Sequence, residues 1–215
     1  MDFESLIVVP SARYARTLET LWQKKCALQT QASLAAQDSG EAVFDAPTIL
    51  SFDQWLLRLR DELLLRGELP ARTLLSDFAE QILWQRIVQE SAVGDALLSA
   101  KLAASSAKKA YKLLCQWNIR AVDHAFELKS RPDSEAFLTW ASRFEQLCNE
   151  SAYHCVGDMH CAVLKCLQAR SDARSGFKQT TESMQVQAVG FVKPTPVQIA
   201  LFECFSASWE LSLIH

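Results

Sequence analysis

Hydrophobic residues along this chain form short runs typical of buried strands and longer stretches with the spacing of helices. The first run, Leu6–Val9, is apolar and largely β-branched, and it ends at Pro10. Ser11 can cap a following helix that carries Ala15 and Leu18 at helical spacing. A buried strand that leads directly into a helix predicts the beginning of a parallel α/β domain.

The same alternation occurs a second time. Residues 48–50 form another short apolar run, and the sequence from Ser51 to Gln54 has the pattern of a capping box. The helix that it predicts, Phe52–Leu65, ends before Gly67. Strand, helix, strand, helix is the order expected of a parallel sheet.

Between about residues 71 and 180 the pattern is that of helices alone. Two apolar stripes at helical spacing are expected to face a core, one consisting of Leu75, Phe78, Ala79, Ile82, Leu83 and Ile87, the other of Ala103, Ala107, Ala110, Leu114 and Trp117. Two further helices are expected at about residues 135–150 and 158–169. We therefore expect a helical insertion in an α/β domain.

The last part of the chain returns to the α/β pattern. We expect four strands in one largely parallel sheet, namely Leu6–Val9, Thr48–Leu50, Val186–Val189 and Glu210–Leu213. The predicted organisation is residues 1–70 as the first part of the α/β domain, 71–180 as the insertion and 181–215 as the return. Because the sequence ends on a predicted core strand, we expect it to be a fragment of a longer protein.

Composition and charge narrow the function classes. The 215 residues are 49% hydrophobic and 22% charged, with a net charge of −3, so any contact with nucleic acid needs a local basic face. No apolar run approaches the roughly 20 residues that span a bilayer, and the N-terminus is acidic. Seven cysteines without a regular framework fit a reducing compartment. We expect a cytoplasmic protein with no membrane partner.

The turn after the first predicted strand is where such folds bind nucleotide phosphate. A P-loop needs glycines, whose backbone N–H groups surround phosphate, and a Lys-Ser/Thr pair. Residues Pro10, Ser11 and Arg13 occupy this turn, and the first glycine in the chain is Gly40. We therefore expect a degenerate nucleotide turn, no cofactor and no specific binding of Mg-ATP.

One group of lysines is a candidate contact for DNA. Lys101, Lys108 and Lys112 fall within roughly 40° of one another on the second insertion helix, opposite the stripe predicted from Ala103 to Trp117. Such a face can bind phosphates, or it can simply be solvated. Ser51, at the end of the second predicted strand, is a further candidate contact.

Two other patterns do not predict a site. The only cluster of metal-ligand types consists of His154, Cys155, His160, Cys161 and Cys166. Its cysteines are separated by five and four residues, whereas zinc-ligand pairs are usually two to four residues apart around a turn, so buried thiols in a helix explain the cluster better. Glu127-Leu128-Lys129 and Pro132-Asp133 contain the elements of a PD-(D/E)xK nuclease motif in the reverse order, and Asp133 is better explained as a helix cap. We expect no metal site and no catalytic residue.

Three segments carry a resemblance to a known family. Residues 7–15 (IVVPSARYA), 46–56 (APTILSFDQWL) and 190–198 (GFVKPTPVQ) resemble, in this order and spacing, segments of the AddB/RexB-like DNA repair proteins. That resemblance implies an N-terminal domain related to superfamily 1 helicases. It also implies that a second motor-like domain and a PD-(D/E)xK nuclease lie beyond His215.

The resemblance implies a P-loop-NTPase-like α/β domain, degenerate and with a large all-helical insertion. Unlike working motors, the chain has no acidic residue in Ala188-Val189-Gly190-Phe191 to hold Mg²⁺. The implied function is a non-catalytic portion of a bacterial DNA repair nuclease that binds DNA or a partner helicase/nuclease subunit. The alternatives are a helical protein-interaction module without a DNA role, and an enzyme with a small-molecule site above Pro10, Ser11 and Ser51. That crevice lacks convergent titratable groups, which disfavours the last alternative.

Overall fold

A computed structural model describes residues 6–35, 47–94, 99–119, 132–174 and 186–205. These residues are mostly helical, and none of their helices is long and apolar enough to cross a membrane. The helices are α1 (Ala12–Ala35), α2 (Phe52–Leu65), α3 (Asp77–Gln89), α4 (Ala100–Gln116), α5 (Pro132–Glu150), α6 (Val156–Arg174) and α7 (Pro196–Glu203). The strands are β1 (Leu6–Val9), β2 (Thr48–Ser51), β3 (Thr73–Leu74), β4 (Tyr153–His154) and β5 (Val186–Ala188).

The chain divides into two compact units. The first unit comprises Met1–Leu59, Ala173–Pro194 and Phe202–His215, and the second comprises Arg60–Asp172 and Thr195–Leu201.

The first unit contains a parallel sheet with the strand order β2-β1-β5. Val8 is paired with Leu50 on one side and with Ala188 on the other, so the first predicted strand is the central one. The predicted α/β class and the parallel pairing of these three strands are therefore confirmed. The fourth predicted strand, Glu210–Leu213, lies outside the described residues.

Apolar contacts hold α1 against this sheet. Val9, Ala15 and Ile49 are buried together, and the side chains of Tyr14 and Leu18 pack against them. A separate aromatic cluster is formed by Phe52, Trp55, Phe191 and Phe202, in which the rings of Trp55 and Phe202 are stacked with centroids 5.5 Å apart.

The core of the second unit lies where α3 packs against α4 and α5. Trp84 is fully buried, and its ring stacks on Phe144 with centroids 4.4 Å apart. The predicted stripe on α3 is partly wrong, because Phe78 and Ile82 are 73% and 50% exposed. The buried residues of this helix are Glu80, Trp84, Ile87 and Val88.

The second unit also contains a small sheet that the sequence did not predict. β3 and β4 pair in parallel, with Leu74 opposite His154. Each strand has only two residues, which is too short for an alternating pattern to be seen. The expectation of helices alone between residues 71 and 180 is therefore wrong at this point.

Candidate functional site

The carboxyl ends of the parallel strands bring the degenerate nucleotide turn and the segment after β5 to one edge of the sheet. Pro10 and Ser11 follow β1 and are exposed. Ser11 caps α1 as predicted, because its Oγ accepts a hydrogen bond from the backbone N–H of Tyr14 at 3.3 Å. This edge is where open parallel sheets bind ligands.

An aromatic ring packs tightly beside this turn. Gly190 follows β5 with φ of +80°, and a Cβ atom built on it would lie 2.9 Å from Cζ of Tyr14. No side chain larger than hydrogen fits between the backbone at Gly190 and this ring. The first turn of α1 thus carries a bulky ring against the neighbouring loop, where a nucleotide-binding turn has small residues.

Ser51 has a structural role at the end of β2. It is 3% exposed, and its Oγ donates a hydrogen bond to Oε1 of Gln54 at 2.9 Å. The backbone N–H of Ser51 donates to the same oxygen at 3.0 Å, while that of Gln54 donates to Ser51 Oγ at 3.4 Å. This is the predicted capping box, and it leaves the hydroxyl buried, whereas a contact to nucleic acid needs it at the surface.

A basic groove on α1, which we did not predict from the sequence, begins next to this edge. Arg13, Arg16 and Lys24 line it together with Thr17, Thr20 and Leu21. At about 100° per residue, Arg13, Thr17, Thr20 and Lys24 lie within roughly 60° of one another on the helix. None of the described residues that line this groove is acidic. The spacing of its cations could have been found in the sequence.

The lysines of α4 are not arranged as predicted. Its buried face consists of Ala104, Ala107, Tyr111 and Cys115, which is rotated by roughly 80° from the predicted stripe. Lys101, Lys108 and Lys112 therefore lie on the flank of the buried face. Lys101 and Lys112 are exposed.

Lys108 is bound within the fold. Its side chain is only 13% exposed, and its Nζ lies 2.7 Å from Oδ1 of Asp77 and 3.9 Å from Oε2 of Glu80. The hydrogen bond from Lys108 lowers the pKa of Asp77. Burial raises the pKa of Glu80, and the Lys108 ammonium opposes this. The expectation of three lysines on one open face is therefore corrected; the role of this flank in DNA binding stays a prediction.

We expect Lys108→Met to lower the free energy of unfolding by about 1–3 kcal/mol near pH 7, because it leaves the Glu80 carboxylate buried without its cation. The substitution should raise the pKa of Glu80 further above its ordinary value of 4.5. A raised pKa in the folded state favours folding at low pH, so the loss should largely disappear near pH 4, where Glu80 is protonated. Urea unfolding at both pH values measures the difference.

Lys112→Met is the matched control, since Lys112 is exposed on the same helix. It should change stability by less than about 0.5 kcal/mol at either pH. Equal losses for both variants, or a loss for Lys108→Met that does not depend on pH, would show that Lys108 does not neutralise Glu80.

A pocket of about 430 Å³ lies in the second unit. Its walls come from α4, α5, α6 and the segment around β3 and β4. Two cations, two carboxylates and a histidine are among the lining residues, namely Arg72, Lys165, Glu145, Asp158 and His154. It therefore contains more titratable groups than the edge of the sheet in the first unit.

Asp158 organises the polar floor of this pocket. Its Oδ1 accepts a hydrogen bond from the hydroxyl of Tyr111 at 2.8 Å, and its Oδ2 accepts one from the thiol of Cys155 at 3.2 Å. Burial, together with the Asp158 charge, raises the pKa of Tyr111, so the phenol stays protonated as a donor. Cys115 Sγ lies 3.8 Å from Asp158 Oδ1.

Three thiols meet beside Asp158. The thiols of Cys115 and Cys155 both lie against the Asp158 carboxylate, and Cys161 Sγ lies 3.5 Å from the carbonyl oxygen of Cys115. Cys166 is separate, because its thiol donates to the carbonyl oxygen of Glu68 at 3.4 Å. Sequence reasoning grouped Cys155, Cys161 and Cys166, and it missed Cys115 because that residue comes from α4.

No group of three or more His, Cys, Asp or Glu side chains among the described residues is arranged to hold a metal ion. His154 is nevertheless unusual, since it is 8% exposed and its Nδ1 has no hydrogen-bond partner within the described ranges. Burial lowers the pKa of His154, and nearby Arg72 lowers it further. The imidazole is therefore neutral at the wall of the pocket.

Comparison with known proteins assigns no family to this chain. No protein-family model matches it, and a search of curated proteins found no match.

Proposed function

We propose that this chain is a non-catalytic, helicase-like portion of a bacterial DNA repair nuclease of the AddB-like type. In this proposal its α/β domain is a degenerate relative of P-loop NTPases. The chain supplies contacts to DNA or to a partner subunit, while the chemistry takes place elsewhere.

The positions of the resembling segments support the family part of this proposal. Tyr14 of the first segment packs against Gly190 of the third, and Phe52 of the second contacts Phe191 of the third, with ring centroids 6.2 Å apart. Segments far apart in the sequence thus form one cluster at the carboxyl edge of the sheet. Segments that resembled a family only by chance would have no reason to contact one another in the fold. Their contacts therefore support the family resemblance.

The basic groove of α1 is the observation that carries a DNA role. Its cations are exposed, and no acidic side chain among the described residues lines it. Arg13 belongs both to the degenerate turn and to this groove. A guanidinium or ammonium group at each of three positions can contact successive phosphates without reading the bases, which suits a protein that binds DNA of any sequence.

Replacing Arg13, Arg16 and Lys24 together with glutamine is expected to weaken DNA binding about equally across sequences. If each cation contacts one phosphate, the slope of log affinity against log salt concentration should become shallower by about 2–3, depending on strand form. Fluorescence anisotropy with labelled single-stranded and forked DNA, at several salt concentrations, measures both quantities.

The matched control replaces three exposed lysines of α4, namely Lys101, Lys109 and Lys112, with glutamine. Unchanged binding in the control, with a loss in the α1 variant, supports the α1 groove. A loss in the α4 variant alone would place the DNA contact on the helical unit, as the sequence first indicated.

The second candidate function, a helical protein-interaction module, has its own supporting observation. Leu102, Leu113 and Trp117 are 71%, 56% and 58% exposed. At about 100° per residue they lie within roughly 60° of one another on α4 and just beyond its end, and exposed apolar groups at such spacing suit a partner surface. If neither set of glutamine substitutions alters DNA binding, or if the wild-type chain does not bind DNA, this function replaces the first.

A further inference from the structure

Some thiols of the second unit line the pocket, and others do not. Cys115, Cys148 and Cys161 line the pocket. Cys155 and Cys166 are not among the lining residues, and the thiol of Cys166 bonds to the carbonyl oxygen of Glu68. A molecule in the pocket can therefore reach one particular set of thiols.

Two of these thiols come from helices that approach each other closely. A Cβ atom built on Gly157 would lie 2.7 Å from Cβ of Cys115, so only glycine permits this distance between α6 and α4. Cys161 lies one turn after Gly157 on the same face of α6, and its Sγ lies 3.5 Å from the carbonyl oxygen of Cys115. The two cysteines are thus neighbours across the contact between α4 and α6, as a disulfide requires.

The environment separates the reactivities of the pocket thiols. The hydrogen bond from Cys115 lowers the pKa of Cys161, and Lys165, one turn further along α6, acts in the same direction. Burial raises the pKa of Cys148 to about 12. Cys161 is also partly exposed, whereas Cys115 and Cys148 are buried. Because the thiolate is the nucleophile in thiol chemistry and must reach its reagent, Cys161 is the thiol that attacks first.

The charges around the pocket indicate the kind of reagent it accepts. Arg72 and Lys165 line the pocket together with the carboxylates Glu145 and Asp158, and Arg72 donates hydrogen bonds to Asn149 and to the carbonyl oxygen of Tyr153. Lys165 is exposed one turn after Cys161 on α6, so its ammonium group favours a carboxylate on a molecule that reaches this thiol. A small disulfide that carries carboxylates, such as oxidised glutathione, combines this charge with an electrophilic sulfur.

We propose that this pocket is a thiol-modification site, in which Cys161 reacts with a small carboxylate-bearing disulfide and Cys115 then resolves the product. In the first step the Cys161 thiolate forms a bond to one sulfur of the small disulfide, whose S–S bond breaks and releases one thiolate. In the second step Cys115 gives its proton to that released thiolate and attacks the Cys161 sulfur. The Cys115–Cys161 bond forms, the mixed disulfide breaks and a second small thiolate leaves, to be protonated by solvent.

Atoms and electrons balance in this reaction. The protein loses two electrons and becomes oxidised at Cys115 and Cys161, and the small disulfide is reduced to two thiols. The new bond joins α4 to α6 across 46 positions of the chain, a closed loop that should raise the denaturation midpoint of the oxidised protein.

The test treats the wild-type chain with oxidised glutathione and maps its disulfides by mass spectrometry of peptides under non-reducing conditions. We expect a Cys115–Cys161 bridge as the main product. Cys115→Ser should instead keep glutathione on Cys161, and Cys161→Ser should give neither product. Cys166→Ser is the matched control, and it should form the bridge at the wild-type rate.

A charge variant tests the class of reagent. Lys165→Gln should slow the reaction with oxidised glutathione by about threefold to tenfold, and it should slow the reaction with the uncharged hydroxyethyl disulfide less. Equal slowing with both reagents would overturn the assigned class of reagent.

Other patterns in the wild-type map would overturn the site itself. These are a Cys115–Cys155 bridge with Cys161 free, or glutathione on Cys166 or Cys204 with Cys161 unmodified. Because this map uses no substitution, it stays decisive even if a cysteine variant fails to fold.

Discussion

Replacing Trp84 with alanine is expected to lower the free energy of unfolding by about 3–5 kcal/mol. Trp84 is fully buried, and it stacks on Phe144 with ring centroids 4.4 Å apart. Its ring also contacts Tyr111 of α4, at a centroid distance of 5.6 Å. The substitution thus opens a cavity where three helices meet, and urea unfolding followed by helical circular dichroism measures the loss.

Phe78→Ala provides the control on the same helix. Phe78 is 73% exposed, so its loss should change the free energy of unfolding by less than about 0.5 kcal/mol. Both residues are large and aromatic, and they differ mainly in the face of α3 that carries them. If the two variants lost similar free energies of unfolding, the face of α3 that carries Phe78 would have to be buried against another surface.

The orientation of α3 and α4 could not be predicted from apolar spacing. Phe78 and Ile82 continue the apolar pattern of α3 as well as Trp84 does, so the sequence contains two overlapping stripes. The face that is buried carries Glu80 as well as Trp84, and Glu80 lies beside Lys108 of α4. Two charged residues that become neighbours only when the helices pack cannot be recognised from the spacing of apolar residues along either helix.

Local signals in the sequence were more reliable. The central parallel strands were predicted, as was the capping box in which Ser51 and Gln54 exchange hydrogen bonds. The final helix begins with the same exchange, between Thr195 and Gln198 at 2.9 and 3.4 Å. Each strand is a short apolar run, and each cap depends on residues three apart, so a linear pattern contains both signals.

The candidate sites were harder to predict because they combine distant segments. Cys115 joins Cys155 and Cys161 from α4, and β3 pairs with β4 across about eighty residues. The basic groove of α1 is the exception. Arg13, Arg16 and Lys24 lie on one helix at a spacing visible in the sequence, although the net charge of the whole chain is −3.

Gly190→Ala is expected to lower the free energy of unfolding by about 2–5 kcal/mol. A residue with a Cβ costs about 1–2 kcal/mol at the left-handed φ of +80°. The added methyl group would also lie 2.9 Å from the Tyr14 ring, and overpacking of this kind costs about 1–3 kcal/mol more. Thermal and urea unfolding of the purified chain measure the sum.

Gly67→Ala separates the two contributions. Gly67 has φ of +71°, and a Cβ atom built on it has no neighbour within 4 Å, so this variant should lose only the backbone part, about 1–2 kcal/mol. In a Tyr14→Ala background, Gly190→Ala should fall to the same cost, because the ring is gone. If Gly190→Ala costs the same free energy of unfolding with and without the Tyr14 ring, this ring does not fill the space beside Gly190. The ring then cannot be what occupies the place of the small residues of a nucleotide-binding turn at this edge of the sheet.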